Sequence, residues 1–406
     1  MRVGFAARDT WTIGAPRLLA GLDSMESLDL TAHLAVHGPL PVMGVARLLD
    51  LVDAAALAGR GGAGFPFAAK LRALPADVRP RIVVNGCESE PASWKDRTLL
   101  RRSPHLVLDG ALAVAAALGA RRVDVAVHDP MSAAAVHSAA QQRPDGGAVR
   151  IVVIRAGFVA GEGRALLRAL DGGPALPPGR RAHATEHGVL LSNAETYAQL
   201  AVLLRLAAAG YRHTGTLAEP GTTLLTIAGA VARPGVVEIP LGTPLGLLLE
   251  AAGAASPQAV VVGGYHGSWH RPTGDIPLSR AGLSSAGGTF GAGVLLVVDD
   301  SSCALGELAR VASWLAGESA KQCGPCRFGL PALARDVNAL FHGLPAVNAA
   351  FGHARAVDGR GACHHPDGTA RFVTTGLHLL QNEIAWHRQG GCGRPVRGLL
   401  LVGGQR

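Results

Sequence analysis

Apolar residues recur along this chain with three different rhythms. In residues 45–58, Val45, Leu48, Leu49, Val52, Ala55 and Ala56 share one face at helical spacing. Short β-branched runs at 82–84, 123–127 and 151–154 alternate with helical stretches such as 104–118. That alternation predicts a parallel α/β sheet over residues 1–220. The Gly/Pro-rich stretch 171–179 reads as a loop or a boundary crossing. Over 221–300 the rhythm changes. Runs at 224–230 and 236–239 flank Arg233-Pro234-Gly235, a helical pattern covers 245–252, and further strands fall at 259–262 and 294–298. Strand–turn–strand–helix–strand predicts a small β-grasp-like unit. From 301 to 406 the pattern is helical. Leu305, Leu308, Val311, Ala312 and Leu315 make one stripe, Leu330, Leu333, Val337, Leu340 and Phe341 another, and 377–386 gives a further helix. Cys323-Gly324-Pro325-Cys326 reads as a helix break inside this bundle.

Composition narrows the function classes. Of 406 residues, 48% are hydrophobic and 17% charged, which excludes a largely disordered chain. No apolar run approaches the ~20 residues that a membrane-spanning helix needs. The N-terminus lacks a long apolar core followed by a small-residue cleavage site, so a soluble, cytoplasmic protein is expected. The net charge is +8, but the arginines are scattered and aromatics make up only 4%. No basic face interleaved with aromatics is present, so nucleic acid is not an expected partner. An anionic cofactor or an acidic protein suits the charge. Lysine is rare: Lys70, Lys95 and Lys321 are the only three, and each falls in a motif described below. Six cysteines are too few for a disulfide scaffold.

Four segments carry candidate chemistry. Gly59, Arg60, Gly61, Gly62, Ala63, Gly64, Phe65 and Pro66 satisfy G-x-G-x-x-G, yet they follow a helical pattern, whereas a dinucleotide fold needs a strand there. Bare glycine amides still suit a phosphate, and Lys70 can supply a point charge. Asn85 through Arg97 follow the run 82–84 directly, at a carboxyl strand end where ligands bind in parallel sheets. Asn85 suits the edge of a heterocycle, and Glu88 and Glu90 suit ribose hydroxyls. Lys95, Asp96 and Arg97 fit either a ligand site or a solvated charge cluster. Gly161-Glu162-Gly163-Arg164 opens a helix, as an anion site or as an ordinary helix start. Finally, Glu318–Gly329 holds Lys321, Cys323 and Cys326, and Cys363 comes 37 residues after Cys326, followed by His364 and His365. Thiolates in this pattern suit an iron–sulfur cluster, and three cysteines with a histidine suit zinc. A thioredoxin-like dithiol fits less well, because no βαβ pattern surrounds the pair. Cys87, Cys303 and Cys392 read as simple small residues.

In collinear order these motifs, with Asn193-Ala194-Glu195-Thr196 and residues 229–235, resemble the NADH-binding flavoprotein of respiratory complex I (the 51 kDa-type family) over about residues 40–390. Relatives of that family occur in hydrogenases and formate dehydrogenases. The resemblance implies a Rossmann-like FMN-binding domain (1–220), a β-grasp soluble-ligand-binding domain (221–300) and a helical iron–sulfur domain (301–406). It implies oxidation of NADH through FMN, with electrons passed to a [4Fe–4S] or [3Fe–4S] cluster. Gly59, Gly61, Gly62 and Lys70 would hold the FMN phosphate and ribitol, with Arg60 and Gly64 in the same loop. Asn85, Glu90, Glu162 and Asn193 would line flavin and nicotinamide, and Phe65 would stack on the nucleotide. Partners would be other redox subunits or a ferredoxin-like protein.

The departures from the family are as specific as the matches. Cys87 stands where the family has Asp, and Ser192 where it has Asn. Gly161–Arg164 reads Gly-Glu-Gly-Arg instead of Gly-Glu-Glu-Thr. The aromatics that follow the family's lysine are replaced by Leu71, Arg72, Ala73 and Leu74, so FMN is better supported than NADH. Ala320 occupies the first cluster cysteine position. That leaves Cys323, Cys326 and Cys363, with His364, His365 or Asp367 as a fourth ligand. Two further readings follow: an FMN and iron–sulfur carrier that exchanges electrons with a ferredoxin-like partner without NADH, and a binding or assembly module whose redox sites have decayed.

Overall fold

A computed structural model describes residues 9–154, 157–179, 184–272 and 275–400, apart from the side chain of Glu186. Residues 1–8, on which the reading of the N-terminus rests, lie outside them. Among the described residues, ten strands form two sheets. They are β1 (Thr10–Thr12), β2 (Arg81–Gly86), β3 (Val123–Val127), β4 (Val149–Val153), β5 (Val189–Asn193), β6 (Thr222–Gly229), β7 (Gly235–Pro240), β8 (Pro257–Val262), β9 (Ser268–His270) and β10 (Val294–Asp299).

The smaller sheet has the order β4-β3-β2-β5 and is parallel throughout. Its central strands are short apolar runs because helices cover both faces. Ile82, Val84 and Val125 face one core, with Leu106, Tyr197 and Leu200. Val83 and Ala126 face another, with Ile154 and Leu166. In this sheet the register pairs Asn85 with Asn193 at the carboxyl ends of β2 and β5. The helical pattern over 45–58 forms a helix only at Val45–Ala54. Ala56 takes a left-handed conformation (φ 50°) and the Leu57 amide donates to Val52 O, a closure that ends a helix and turns the chain toward the glycine loop.

The larger sheet is mixed, in the order β1-β7-β6-β10-β8-β9. The β6–β7 hairpin is antiparallel, and β10 returns parallel to β6 after the helix Leu245–Ala251. Alternation divides its strands between two cores. Val260, Val262, Leu295 and Val297 pack with Leu245 and Leu248, whereas Val261, Leu296 and Val298 pack with the helical bundle. Sequence reasoning missed β1, whose three residues are too few to display a period. It lies parallel to β7. Buried Glu238 locks the following segment down, its carboxylate accepting the amides of Arg17, Leu18 and Leu19 and the Thr222 hydroxyl.

The bundle comprises Ala304–Gly317, Leu330–Phe341, Val347–Val357, His365–Leu379 and Gln381–Arg388. Its break falls earlier than the Gly324-Pro325 pair suggested. The chain leaves the helix at Gly317 and passes Lys321 at φ 53°. Pro325–Gly329 then forms a wide turn that runs straight into Leu330–Phe341. Proline is tolerated there because the first turn has no intrahelical amide bond to lose. No helix among the described residues is long and apolar enough to cross a membrane.

One buried polar network supplies a pH dependence. Asp109 accepts from His33 (2.7 Å), Arg143 (2.6 Å) and Arg205 (2.6 Å), and the His37 ring lies 4.9 Å from that of His33. Burial, followed by the neighbouring His33, pushes His37 down to about 4. A histidine held neutral in the fold charges more readily when unfolded. Its contribution is therefore complete above its ordinary value of about 6.5 and is lost as pH falls toward 4, by up to about 3 kcal/mol. Thermal midpoints from pH 7 to pH 4.5 should fall, and His37→Gln should flatten that slope. An unchanged slope would show that His37 is hydrated in the fold.

Candidate functional site

The parallel sheet sets Asn85 beside Asn193, and the local chain makes both polar ends rigid. The Asn85 amide nitrogen donates to Gly161 O (3.2 Å) and its side-chain oxygen accepts the Cys87 amide (3.0 Å). The Asn193 side-chain oxygen caps the helix Ala194–Arg212 by accepting the Glu195 amide (3.0 Å). Its nitrogen donates to Asp96 Oδ2 (2.6 Å) and Asn85 O (3.3 Å). Three separate sequence motifs thus meet at one strand edge.

Beneath them lies a buried charge cluster. Lys95 Nζ is 2.9 Å from Asp96 Oδ1, 3.0 Å from Glu195 Oε2 and 3.1 Å from Asn193 Oδ1. Burial opposes the ammonium charge, but Asp96 and Glu195 outweigh it and hold the Lys95 pKa above its ordinary value. The solvated alternative for Lys95 and Asp96 is excluded, since both are buried. Glu195, which sequence reasoning did not single out, is fully buried and also accepts from Thr223 Oγ1 and the Leu224 amide, both at 3.0 Å. Its only signal was the motif Asn193–Thr196.

The glycine loop folds back on itself, with the Gly59 amide donating to Phe65 O (2.9 Å). Gly62 (φ 97°) and Gly64 (φ 63°) adopt conformations that side chains disfavour. A Cβ at Gly61 would press on Asn193, at Gly62 on the Gly291 carbonyl, and at Gly64 on Arg280. The backbone is thereby kept bare next to the asparagine edge. Phe65 projects from the loop about half exposed. Lys70 Nζ donates to Leu191 O (2.8 Å) and Ser192 Oγ (3.2 Å), and burial pushes it down to about 8.

Two expected ligand residues are used otherwise. Arg60 turns inward, its guanidinium donating to Ala58 O, Tyr211 OH, Pro220 O and Thr222 O. Glu88, expected at ribose hydroxyls, caps the helix Lys95–Arg102. Its carboxylate accepts the amides of Asp96 (3.2 Å) and Arg97 (3.1 Å) and the Ser93 hydroxyl. Both side chains are spent on neighbouring polar groups, Arg60 chiefly on backbone carbonyls and Glu88 on the first amides of a helix. Glu90 differs. Its Oε2 accepts the Tyr265 amide (3.0 Å), while buried Oε1 has no hydrogen-bond partner among the described residues. Burial pushes Glu90 up to about 8, against the Tyr265 and Ala92 amides that favour its charge. Gly264 (φ 78°) abuts this carboxylate, and a Cβ there would collide with it.

Glu162 follows Gly161, whose carbonyl holds Asn85, and its charge acts on Cys363. It caps Gly163–Leu170 through the Ala165 amide (3.0 Å) and pairs with Arg164 Nε (3.0 Å). Burial raises the Cys363 thiol, and Glu162 and Cys323 add to that rise. Cys326 is pushed up to about 12 by burial and then by Cys323. The three thiols therefore lie near one another. Beside Ala320 opens a cleft of about 470 Å³ lined by Gly157, Val159, Leu176 and Glu318.

The expected histidine ligands are corrected in part. His365 Nε2 bonds Leu315 O (2.9 Å) and its Nδ1 bonds His266 Nε2 (2.9 Å), so neither nitrogen is available to iron. His364 is exposed, with Nδ1 on Asp367 Oδ2 (3.0 Å). Asp367 Oδ1 accepts the Gly359 amide (2.9 Å).

With this geometry in view, the chain matches three family models. Residues 52–202 match the Nuo51 FMN-binding domain, 224–264 the SLBB domain and 299–387 the NADH-ubiquinone oxidoreductase-F iron-sulfur binding region. It is 29% identical over 423 residues to the F subunit of NADH-quinone oxidoreductase from Streptomyces coelicolor, covering 93% of this chain and 92% of the relative. It is 30% identical over 313 residues to the F 2 subunit of NADH-quinone oxidoreductase from Rhizobium meliloti, covering 70% and 74%. Among solved structures, a chain of NAD+-reducing [NiFe]-hydrogenase in the H2-reduced state superposes with TM-score 0.75 at 26% identity, over 84% of this chain. This chain spans 62% of that hydrogenase chain. The air-oxidised state gives TM-score 0.82 at 24% identity, a likeness of fold. Ordered motifs, shared fold and near full-length identity agree that the chain belongs to the family of NADH-quinone oxidoreductase F subunits.

Proposed function

We propose that this protein oxidises NADH through bound FMN and passes the electrons to an iron–sulfur cluster. The observation that carries this is the meeting of the bare glycine loop, Asn85, Asn193 and the Lys95 cluster at one sheet edge. The residues present fit FMN. Cβ atoms would crowd the loop, and buried Glu90 Oε1 has no hydrogen-bond partner among the described residues. The amides of residues 61–64 and Lys70 would hold phosphate and ribitol. Asn85, Asn193 and Glu90 would line the ring and nicotinamide, and Phe65 would stack on the nucleotide. Arg60 and Glu88 would act by bracing this frame. Cys323, Cys326 and Cys363 fit three iron ligands of a cluster. Bound FMN supplies the conversion of a two-electron hydride donor into one-electron transfers.

Within this reading, burial excludes water from the charged cluster and fixes the asparagine edge. Because burial raises its pKa to about 8, Glu90 would meet an electron-rich ring as a neutral acid, donating a hydrogen bond from Oε1 instead of repelling it. The parts assigned are an FMN-binding α/β unit, a β-grasp unit and a helical iron–sulfur unit. Its partners are other redox subunits.

The test is anaerobic purification with flavin and iron analysis, followed by NADH addition. About one FMN per chain, bleached by stoichiometric NADH, is expected. Flavin and iron that stay oxidised under excess NADH would overturn NADH as the donor.

A further inference from the structure

A second cluster of metal-ligating side chains lies outside the iron–sulfur motif. Cys303, Glu383, His387 and Cys392 offer ligand atoms that all lie within 4.8 Å of one another. The sequence treats Cys303 and Cys392 as unrelated small residues, 89 positions apart. The fold joins them. Cys303 precedes the helix Ala304–Gly317, where its sulfur accepts the Gly306 amide (3.2 Å). Glu383 and His387 are one turn apart on Gln381–Arg388 and so share a face. Cys392 belongs to the segment that follows.

Each group is oriented as a ligand. His387 Nδ1 donates to Phe341 O (2.6 Å), which leaves Nε2 with its lone pair 3.3 Å from Cys303 Sγ. That backbone bond is the orienting contact that metal-bound histidines characteristically make. Glu383 Oε1 accepts the Ala304 amide (3.1 Å) and lies 3.6 Å from Arg394, while its buried Oε2 has no hydrogen-bond partner among the described residues. An unpartnered buried carboxylate oxygen is costly, and a dication beside it removes the cost. A disulfide between the cysteines would leave both Oε2 and His387 Nε2 unused. Two sulfurs are too few for the usual iron–sulfur ligand set. Two thiolates, one imidazole and one carboxylate suit tetrahedral Zn2+.

We propose that Cys303, Glu383, His387 and Cys392 form a closed four-coordinate Zn2+ site that ties the C-terminal segment to the helical bundle. Binding releases one proton from each thiol. The resulting centre carries one net negative charge, and Arg394 balances it. The site has a mechanical purpose. After Arg388 the described chain has no further helix or strand; its ties to the rest include the Cys303 amide on Pro395 O (2.9 Å), Arg394 on Gln258 and Asp300, Glu307 accepting the amides of Gly398, Leu399 and Leu400, and Leu400 buried against the bundle. Four protein ligands leave no open position for substrate, so the role is structural.

The experiment is elemental analysis of the full-length holoprotein from zinc-supplemented medium, with X-ray absorption at the zinc edge. About one zinc per chain is expected beside the iron, with two sulfur and two nitrogen or oxygen neighbours. Cys392→Ala and His387→Gln should each cut zinc at least tenfold while retaining FMN and iron. Four results would overturn the proposal: zinc-free wild-type protein, a three-sulfur zinc shell that marks zinc lodged at Cys323, Cys326 and Cys363, zinc unchanged in both variants, or an intact mass two hydrogens light from a Cys303–Cys392 disulfide. The absorption measurement uses wild-type protein, so it decides the matter even if a variant fails to fold.

Discussion

Lys95→Met is expected to destabilise the FMN-binding unit by about 3–5 kcal/mol, the usual cost of removing one partner from a buried ion pair. The ammonium is the cation within salt-bridge reach of both Asp96 and Glu195, and the side chains of all three are at most 6% exposed. Methionine fills a similar volume, so the loss is electrostatic. Two carboxylates would remain buried, and one of them must take up a proton. Asn193, which bonds both Lys95 and Asp96, would lose its orientation, and FMN affinity should fall with stability. Lys95→Met with Glu195→Gln should recover much of the loss, because one uncompensated charge disappears while Asp96 keeps its bond from Asn193. Urea unfolding followed by circular dichroism, with flavin content on the same samples, measures both effects. A Lys95→Met midpoint within error of wild type would mean that water already reaches the cluster.

Ala320→Cys is expected to lower the cluster potential by on the order of 100 mV and to raise iron retention, since a thiolate donates more charge than a non-thiolate ligand. Ala320 precedes Cys323 and Cys326 at the spacing the family fills with cysteine, and it borders the cleft between Gly317–Ser319 and Gly157–Leu176. Neither nitrogen of His365 is free to compensate. Replacing His365 with Gln should therefore move the potential far less than Ala320→Cys does. Redox titration followed by electron paramagnetic resonance on the full chain gives the value. An unchanged potential and iron content in Ala320→Cys would show that position 320 does not reach the cluster.

Much of the site was legible because its chemistry is local. Four glycines in six residues declare a backbone that must stay bare. Cys-x-x-Cys at a turn declares soft ligands, and β-branched runs between helices declare a parallel sheet. Carboxylates were harder. Glu88, Glu90 and Glu195 look alike in sequence, yet Glu88 caps a helix, Glu90 keeps a buried oxygen unpartnered and Glu195 anchors Lys95. Which fate each meets depends on where the nearest orphan amide or buried cation lies, and that is a property of packing. Arg60 was misjudged for the same reason.

Residue types, periods and short spacings therefore specify the elements, the glycine loop and the cysteine motif without reference to the rest of the chain. The pairing of Asn85 with Asn193, the docking of β1 on β7 and the meeting of Cys303 with Cys392 join positions 108, 226 and 89 residues apart. Separations of that size carry no periodic signal. They are closed by burial of shared cores and by satisfaction of buried polar groups, free energies that exist only once the sheets and helices have packed.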